Sequence, residues 1–388
     1  MQHMSNSILG IILAIIFVVV NGIPLMYLAK SFGYKLKPTS FAYFVGAIGN
    51  FFTGSVVPIA VQAETLTLSG RIKDLPTRIA AILIASAIGI VFGVTGSVSQ
   101  AADFAGVTAV AGMMAGVGFI LADIGINMCR QDKRTGIVST VFAIGIYILT
   151  RDLVYTIAGS VLASTLDFCI IQNRRVDYKQ LETTTGSTPE IDEWRLWKKD
   201  FWTDFKFLRP KFNLAALMGG LSFICLNIGS NISFGSITAM IAGQEPQLDA
   251  LTVINNLADI PSVLFGGAPL EAIISGTAGA PNIGNVNGAW LAGMLMMIVS
   301  GIILLTGLVG RLGKFIPAQS ITGFLFVIGI NITLVPNLAA AFATSYVAAA
   351  GAAFSITILS KNAFYGLATG ALIYNIPTLI PYLFHLLA

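Results

Sequence analysis

Charge is what this sequence has least of. Only 10% of its 388 residues are Asp, Glu, Lys or Arg, against about 25% in a soluble domain. So few charges cannot cover a water-exposed surface, which excludes an ordinary soluble fold. Histidine is nearly absent too: His3 and His385 stand at the two ends, so no imidazole is available inside the chain for a metal or a proton relay. Cys129, Cys169 and Cys225 are scattered without CxxC spacing, which argues against a disulfide framework and a metal site. There is no GxxxxGK[ST], so the phosphate cradle of an ATP-driven pump is missing. The glycines of "GVGFILADIG" lack the strand–turn–helix setting of a dinucleotide fingerprint. The first apolar run follows an almost chargeless start without an A-x-A site, so no cleavable signal is expected; "MQHM" is set aside as an expression remnant. No enzyme, cofactor, metal or nucleic-acid partner is expected.

What the chain has instead is apolar length. It is 55% hydrophobic, with a mean hydropathy of +0.83. Repeated apolar runs of about 20 residues read as transmembrane helices. A β-barrel would alternate polar and apolar residues along each strand, and these runs do not. The expected fold is an all-α polytopic membrane protein. Seven segments fall near 7–29, 38–52, 53–69, 77–95, 104–127, 135–150 and 152–172. Seven more fall near 212–232, 249–265, 266–281, 286–309, 317–335, 337–357 and 363–387. The third and the tenth are too short and too rich in Gly and Pro to cross as plain helices.

The chain divides into a first half (1–172), a polar linker (173–211) and a second half (212–388). In the linker Thr188 is set to cap a helix, with Pro189 and Glu190 in its first turn. Trp194, Trp197, Phe201, Phe205 and Leu208 follow at helical spacing among lysines. That pattern suits a helix lying on the membrane surface; the alternative is a helix packed on the protein body. Of the 22 Lys and Arg, all but Arg151 fall on the side of the linker. The positive-inside rule places that side in the cytoplasm, with both termini outside a cell (inner) membrane.

The halves also repeat. "VVPIAVQAETLTLSG" (Val56–Gly70) lies on "GAPLEAIISGTAGAP" (Gly267–Pro281) at an offset of 211 residues, with Pro58 on Pro269 and Glu64 on Ser275. Seven segments per half is an odd number, so the second half is inverted. Paired interrupted segments in inverted halves point to a substrate site at the midplane. Broken backbone survives at that depth only against protein or a watery cavity, and a carboxylate there marks an ion or substrate path. The candidate residues are Glu271, Ser275, Glu64, Gln62, Asn227, Asn231, Ala268 and Ile59. Glu271 and Glu64 are candidates for the coupling ion as well. Asn227 and Asn231, four apart, share a helix face, and amides offer both donor and acceptor to a heterocycle. Each has a structural alternative: Glu271 as a helix cap, Glu64 paired to a base, Ser275 as a small packing residue, and the two Asn as interhelical glue. Asp259 is placed to cap or to line the site. Asp123 and Asp167 read as structural, Asp123 with Arg130 as an ionic neighbour.

The stretch "LFGGAPLEAIISGTAGAP" and the later "GRLGKFIPAQSITGFLFVIGIN" resemble the xanthine/uracil permeases, the nucleobase–ascorbate transporters, and among them the adenine/guanine/hypoxanthine branch. The resemblance is clearest over Asn255 to Asn331. It implies a 7+7 inverted repeat with a core domain (segments 1–4 and 8–11), a gate domain (5–7 and 12–14), short antiparallel strands in segments 3 and 10, and a homodimer. The pattern departs from that family in places. The family's tenth-segment glutamate falls on Ser275, with the acid four residues earlier at Glu271. The eighth-segment carboxylate falls where Asn227 and Asn231 stand. The family keeps its termini in the cytoplasm. The function expected from all this is secondary active transport of a small solute, a purine or other nucleobase, coupled to H⁺ or Na⁺. The alternative is an anion carrier of sulfate or bicarbonate type, or an uncoupled facilitator or channel, on the same fold.

Overall fold

The computed structural model describes residues 2–151, 153–172, 205–309 and 317–387. The first half runs through α1 (Gln2–Ser31), α2 (Leu36–Thr53), a two-residue strand β1 (Ile59–Ala60), a short helix α3 (Ala63–Gly70) and α4 (Leu75–Val94). It continues with α5 (Val98–Ala105), α6 (Val107–Gln131), α7 (Lys133–Thr150) and α8 (Leu153–Leu166), the last extended by a π turn to Ile171. The second half opens with α9 (Leu214–Ser230), which passes through a π turn into α10 (Ser236–Ile241). Then come α11 (Leu248–Leu264), β2 (Glu271–Ala272), a 3₁₀ turn (Gly276–Gly279) and α12 (Gly288–Leu305). One interrupted helix follows, made of α13 (Thr322–Val327), a π stretch (Ile328–Leu334) and α14 (Val335–Phe342), and the described chain ends with α15 (Val347–Ser360) and α16 (Ala363–Leu387).

Local chemistry sets the starts of these helices. Asp74 accepts the Thr77 N–H at the head of α4, with Pro76 in the first turn. Asn213 does the same for Ala216 in α9 and Asn287 for Trp290 in α12, each satisfying a helix donor that would otherwise lack a partner. Among the described residues, four helices are long and apolar enough to cross a membrane: Leu75–Val94, Val107–Gln131, Gly288–Leu305 and Gln319–Phe342. Leu149 is 84% exposed and Phe52 79%, an arrangement lipid stabilises and water does not.

The offset of 211 residues, read in the sequence from one stretch, organises the whole chain. It lays α2 on α11, α4 on α12, α6 on the interrupted helix ending at Phe342, and α7 and α8 on α15 and α16, with ends agreeing to a few residues except at the end of α16, which runs further. Packing sorts these elements into two groups. In the core, α2 packs on α11 and α12, and α4 on α9 and α11. In the gate, α6 packs on α15, α16 and the 322–342 helix, and α7 on α8 and α13. The inverted-repeat, core-and-gate architecture is therefore present, including strands in the third and tenth segments.

Glycines mark the symmetry axis inside the gate. A methyl at Gly118 would sit 2.6 Å from the Gly329 carbonyl oxygen, and one at Gly329 2.7 Å from the Gly118 carbonyl oxygen. These two positions are repeat mates. Likewise Gly112 abuts the Ala350 backbone and its mate Gly323 abuts the Ser139 backbone, each at 2.3 Å from a carbonyl oxygen, and Ser139 and Ala350 are again mates.

The structure corrects three sequence expectations. Segments 12 and 13 do not divide at Pro336: the helix runs on to Phe342. A proline removes one donor and crowds the carbonyl four residues back, and the π stretch just before it, with its wider hydrogen-bond spacing, accommodates both. The small helix α5 stands between segments 4 and 5, where none was expected. Arg130 donates to Asn127 Oδ1 at 3.2 Å rather than pairing with Asp123. The surface helix expected from Thr188 lies outside the described residues up to residue 204. The described end of the linker packs on the body: Phe205 stacks near Phe41 and Phe265, and the Leu208 and Lys211 N–H groups bond Leu264 O and Pro76 O.

Candidate functional site

Where α2 ends, Gly54 takes a left-handed conformation (φ 69°) and the chain turns back into the protein as β1. Where α11 ends, Gly266 (φ 84°) does the same for β2. The two strands meet antiparallel, Ile59 opposite Ala272 and Ala60 opposite Glu271. Ala60 and Glu271 are also mates at the 211 offset, so the pseudo-twofold axis passes between them. A two-residue ribbon leaves many backbone groups without strand partners, and core side chains supply them. Asn50 Nδ2 donates to Val57 O at 2.9 Å, and the Val61 N–H donates to Tyr43 Oη at 3.2 Å. Ser262 Oγ donates to Ala268 O at 2.7 Å, and Thr39 Oγ1 accepts the Ala268 N–H at 2.9 Å. Thr238 Oγ1 donates to Ile273 O at 2.7 Å and accepts the Ser275 N–H at 3.3 Å. This is interrupted backbone held against protein, as the low-dielectric surroundings require.

On one side of the ribbon is a cavity of about 410 Å³. It lies on the seam between core and gate. Ala60, Val61 and Gln62 come from the first strand region and Ile273, Ile274 and Ser275 from the second; Phe324, Ile328 and Ile332 face them from the gate. Among the described residues, its charged lining residues are Glu64, in the first turn of α3, and Arg151, where α7 ends. The cavity reaches from the ribbon towards the Arg151 end of the bundle. Glu64 is buried, and its Oε1 has no partner among the described residues. A second, much smaller space lies beyond Glu64 and is lined by Arg71, Thr357 and Lys361. Glu64 therefore borders both.

Behind the ribbon is a buried polar network. Thr252 Oγ1 donates to Leu248 O, so it must accept from Asn231 Nδ2 (2.8 Å). That fixes Asn231 Oδ1 as the acceptor from Asn255 Nδ2 (2.8 Å). Asn227 Oδ1 accepts from Asn256 (3.2 Å) and from Asn231 (3.3 Å), while Asn227 Nδ2 donates to Glu271 Oε2 at 2.9 Å. The chain of donors thus ends on Glu271. Nearby, Asp259 Oδ1 accepts the Leu270 N–H at 2.8 Å.

Of the eight sequence candidates, Gln62, Glu64 and Ser275 line the cavity. Glu271, Asn227 and Asn231 come together instead in the network, with Ile59 buried in the ribbon and Ala268 buried just before β2. Asp259 caps a strand approach, and Asp167 pairs with Arg134 at 3.0 Å. Sequence reasoning missed Arg151 and Tyr43 as lining residues, and Thr252 as the anchor of the network. The signal for Arg151 was available in the sequence: it is the one basic residue that the expected spans set apart from the linker side.

No family model and no curated protein matches the chain. Solved structures do. The transmembrane domain of the cyanobacterial bicarbonate transporter BicA superposes with a TM-score of 0.62 at 14% identity, over 95% of this chain and 98% of that one. Solute carrier 26 family member A9 superposes at 0.62 and 13% identity, over 96% of this chain and 66% of that one. The murine form of that anion transporter, in an inward-facing state, superposes at 0.59 and 13% identity, over 96% and 69%. These likenesses show the fold, one that this chain shares with those membrane proteins. They also correct the resemblance to the nucleobase permeases: the solved structures named here are of a bicarbonate transporter and of an anion transporter of the solute carrier 26 family. The motif that suggested the nucleobase branch, Gly-Gly-x-Pro followed by small residues, is what the crossed ribbon itself demands, whatever it binds.

Proposed function

We propose that the chain is a secondary transporter of a small anion, moved by displacement of the core helices against the gate helices. The observation that carries this is the cavity at the core–gate seam, floored by two crossed, interrupted elements at the centre of a membrane bundle. Two features favour an anion there. The first-turn amides of α3, Ala63 to Thr65, have no preceding helix carbonyl to bond and carry the positive end of the helix dipole. Arg151 lines the opposite end of the same cavity. The solved structures of the same fold, named as bicarbonate and anion transporters, support the reading. The purine reading has no comparable support, since the two amides set aside for a base, Asn227 and Asn231, are spent on each other and on Glu271.

Glu64 stands in the first turn of α3, where an anion would dock. Two negative charges side by side against a largely apolar wall repel strongly, so Glu64 takes up a proton when the anion binds. The coupling ion is then H⁺, and Glu64, bordering the spaces on both sides of α3, carries it. Glu271 holds the ribbon to α9. In this scheme residues 1–172 and 212–388 are the two repeats, joined by 173–211.

Uptake by purified protein in proteoliposomes tests the function. Labelled bicarbonate, sulfate, aliphatic and aromatic carboxylates and purines are compared, with and without an inward proton gradient. Saturable, gradient-stimulated uptake of one or more anions is expected. Saturable uptake confined to purines, or none for any anion, overturns the proposal.

A further inference from the structure

Resting on the anion reading, the cavity wall says which anion. We infer that the substrate is an organic monoanion with an apolar body about the size of a ring, an aryl or branched-chain carboxylate rather than an inorganic oxyanion. Size is the first argument. An inorganic oxyanion of four or five heavy atoms needs roughly 60–90 Å³, two to three times the share of one water. The cavity, its entrance included, offers about 410 Å³, which leaves room for an organic body beside a headgroup, as in sites of roughly 300–1,000 Å³.

The wall is the second argument. Phe234 from the π turn after α9, Ile237 from α10, Ile273 and Ile274 from the second strand region, and Phe324 and Ile332 from the gate form a broad apolar surface. A small oxyanion surrounded by such a wall would lose its hydration on every side and regain little. The polar side chains among the lining residues are largely committed already. Ser275 Oγ is bonded to Thr277 Oγ1 and to the Thr277 N–H, Ser300 Oγ to Met296 Sδ, and Gln62 Nε2 to Ala272 O. Among the described lining residues the charged groups stand apart, Glu64 in the α3 first turn and Arg151 where α7 ends, with the Tyr43 hydroxyl and the Gln62 amide close to the ribbon. A largely apolar wall with its charged groups set apart fits a ligand of the same pattern. The carboxylate sits at the α3 turn, the hydrocarbon body lies along the isoleucine and phenylalanine wall, and Arg151 attracts the anion at the mouth.

The test is calorimetric binding to the purified full-length protein, using benzoate, benzenesulfonate, 3-methylbutanoate, acetate, bicarbonate and sulfate as probes. The two sulfonate and carboxylate ring compounds separate headgroup from body. Benzoate and 3-methylbutanoate are expected to bind at least tenfold more tightly than acetate or bicarbonate. Ile237→Trp and Ile332→Trp, each filling part of the wall, are expected to weaken benzoate at least tenfold and leave acetate within about twofold. The second variant keeps the test valid if the first fails to fold. Bicarbonate or sulfate binding as tightly as benzoate overturns this inference while leaving the anion reading intact. Binding of none of the six, together with no anion uptake, overturns both. Equal losses for benzoate and acetate in both Trp variants overturn the role given to the wall.

Discussion

Glu64 and Glu271 are both buried carboxylates in the interrupted elements, and exchanging each for Gln separates their roles. Glu64 faces the cavity with an oxygen that no described group satisfies; Glu271 accepts from Asn227 at 2.9 Å behind the ribbon. If one proton on Glu64 accompanies each anion, affinity falls by up to tenfold for each pH unit above the acid's midpoint, about 1.4 kcal/mol per unit. The sign follows from the bound form: the competent state is the protonated one, so uptake is full at low pH and is lost as pH rises. Glu64→Gln removes the titration and keeps a neutral side chain of the same shape, so its uptake becomes independent of pH and insensitive to a proton gradient. Glu271→Gln keeps an oxygen to accept from Asn227, so it retains the pH slope and loses no more than about 1 kcal/mol of stability. The assay is initial uptake of a strong-acid anion such as benzenesulfonate, below saturation, between about pH 5.5 and 8; the charge of that probe does not change in the window. A flat profile in Glu271→Gln beside a normal slope in Glu64→Gln would refute the assignment and return the coupling role to Glu271.

Other substitutions probe the frame. Asn227→Leu removes the donor to Glu271 and the acceptor for Asn231 and Asn256; orphaned buried groups cost about 1–3 kcal/mol each, so the thermal midpoint in detergent drops clearly. Gly118→Ala forces a methyl against backbone atoms of the 322–342 helix and is expected to cost about 1–3 kcal/mol by overpacking, with transport slowed. Its control is Gly351→Ala in α15, which meets open space and should be neutral or stabilising by up to about 1 kcal/mol. Asp167→Asn breaks the pair with Arg134, whose side chain is 57% exposed. That costs under about 1 kcal/mol, and the difference from the parent shrinks in high salt.

Much of the architecture was legible because the bilayer imposes it. Apolar length gave the spans, odd parity gave the inversion, and Gly and Pro in 56–70 and 266–281 gave the crossed elements. The repeat was visible in one stretch alone, because elsewhere its halves share backbone geometry and not side chains: Gly118 and Gly329 are mates, while most residues around them differ. The site was harder to read. In a strand, a shift of one residue turns a side chain to the other face, and nothing in "APLEAIISG" says that Glu271 faces α9 while Ile274 and Ser275 face the cavity. The network behind the ribbon needs Asn227 and Asn231 from one helix and Thr252, Asn255 and Asn256 from another, a meeting that spacing along either helix cannot disclose.

Orientation can be argued from the same contacts. Arg71, between α3 and α4, donates to Lys361 O between α15 and α16. Arg78 donates to Phe32 O between α1 and α2, the Lys35 N–H to Gly266 O, and the Lys211 N–H to Pro76 O. Four basic connections are thus tied together at one end of the bundle, and Arg151, lining the cavity, lies at the other. A membrane holds such an asymmetric protein with its basic end in the cytoplasm. The prediction from this asymmetry is that the termini lie outside and that the cavity opens outward. Alkaline phosphatase, which matures only outside the cytoplasm, and a fluorescent protein that matures inside are to be fused in turn after Ala388. The phosphatase fusion is expected to be active and the fluorescent one dark. A bright fluorescent fusion with an inactive phosphatase would invert the molecule, and would make the same cavity an inward-facing one.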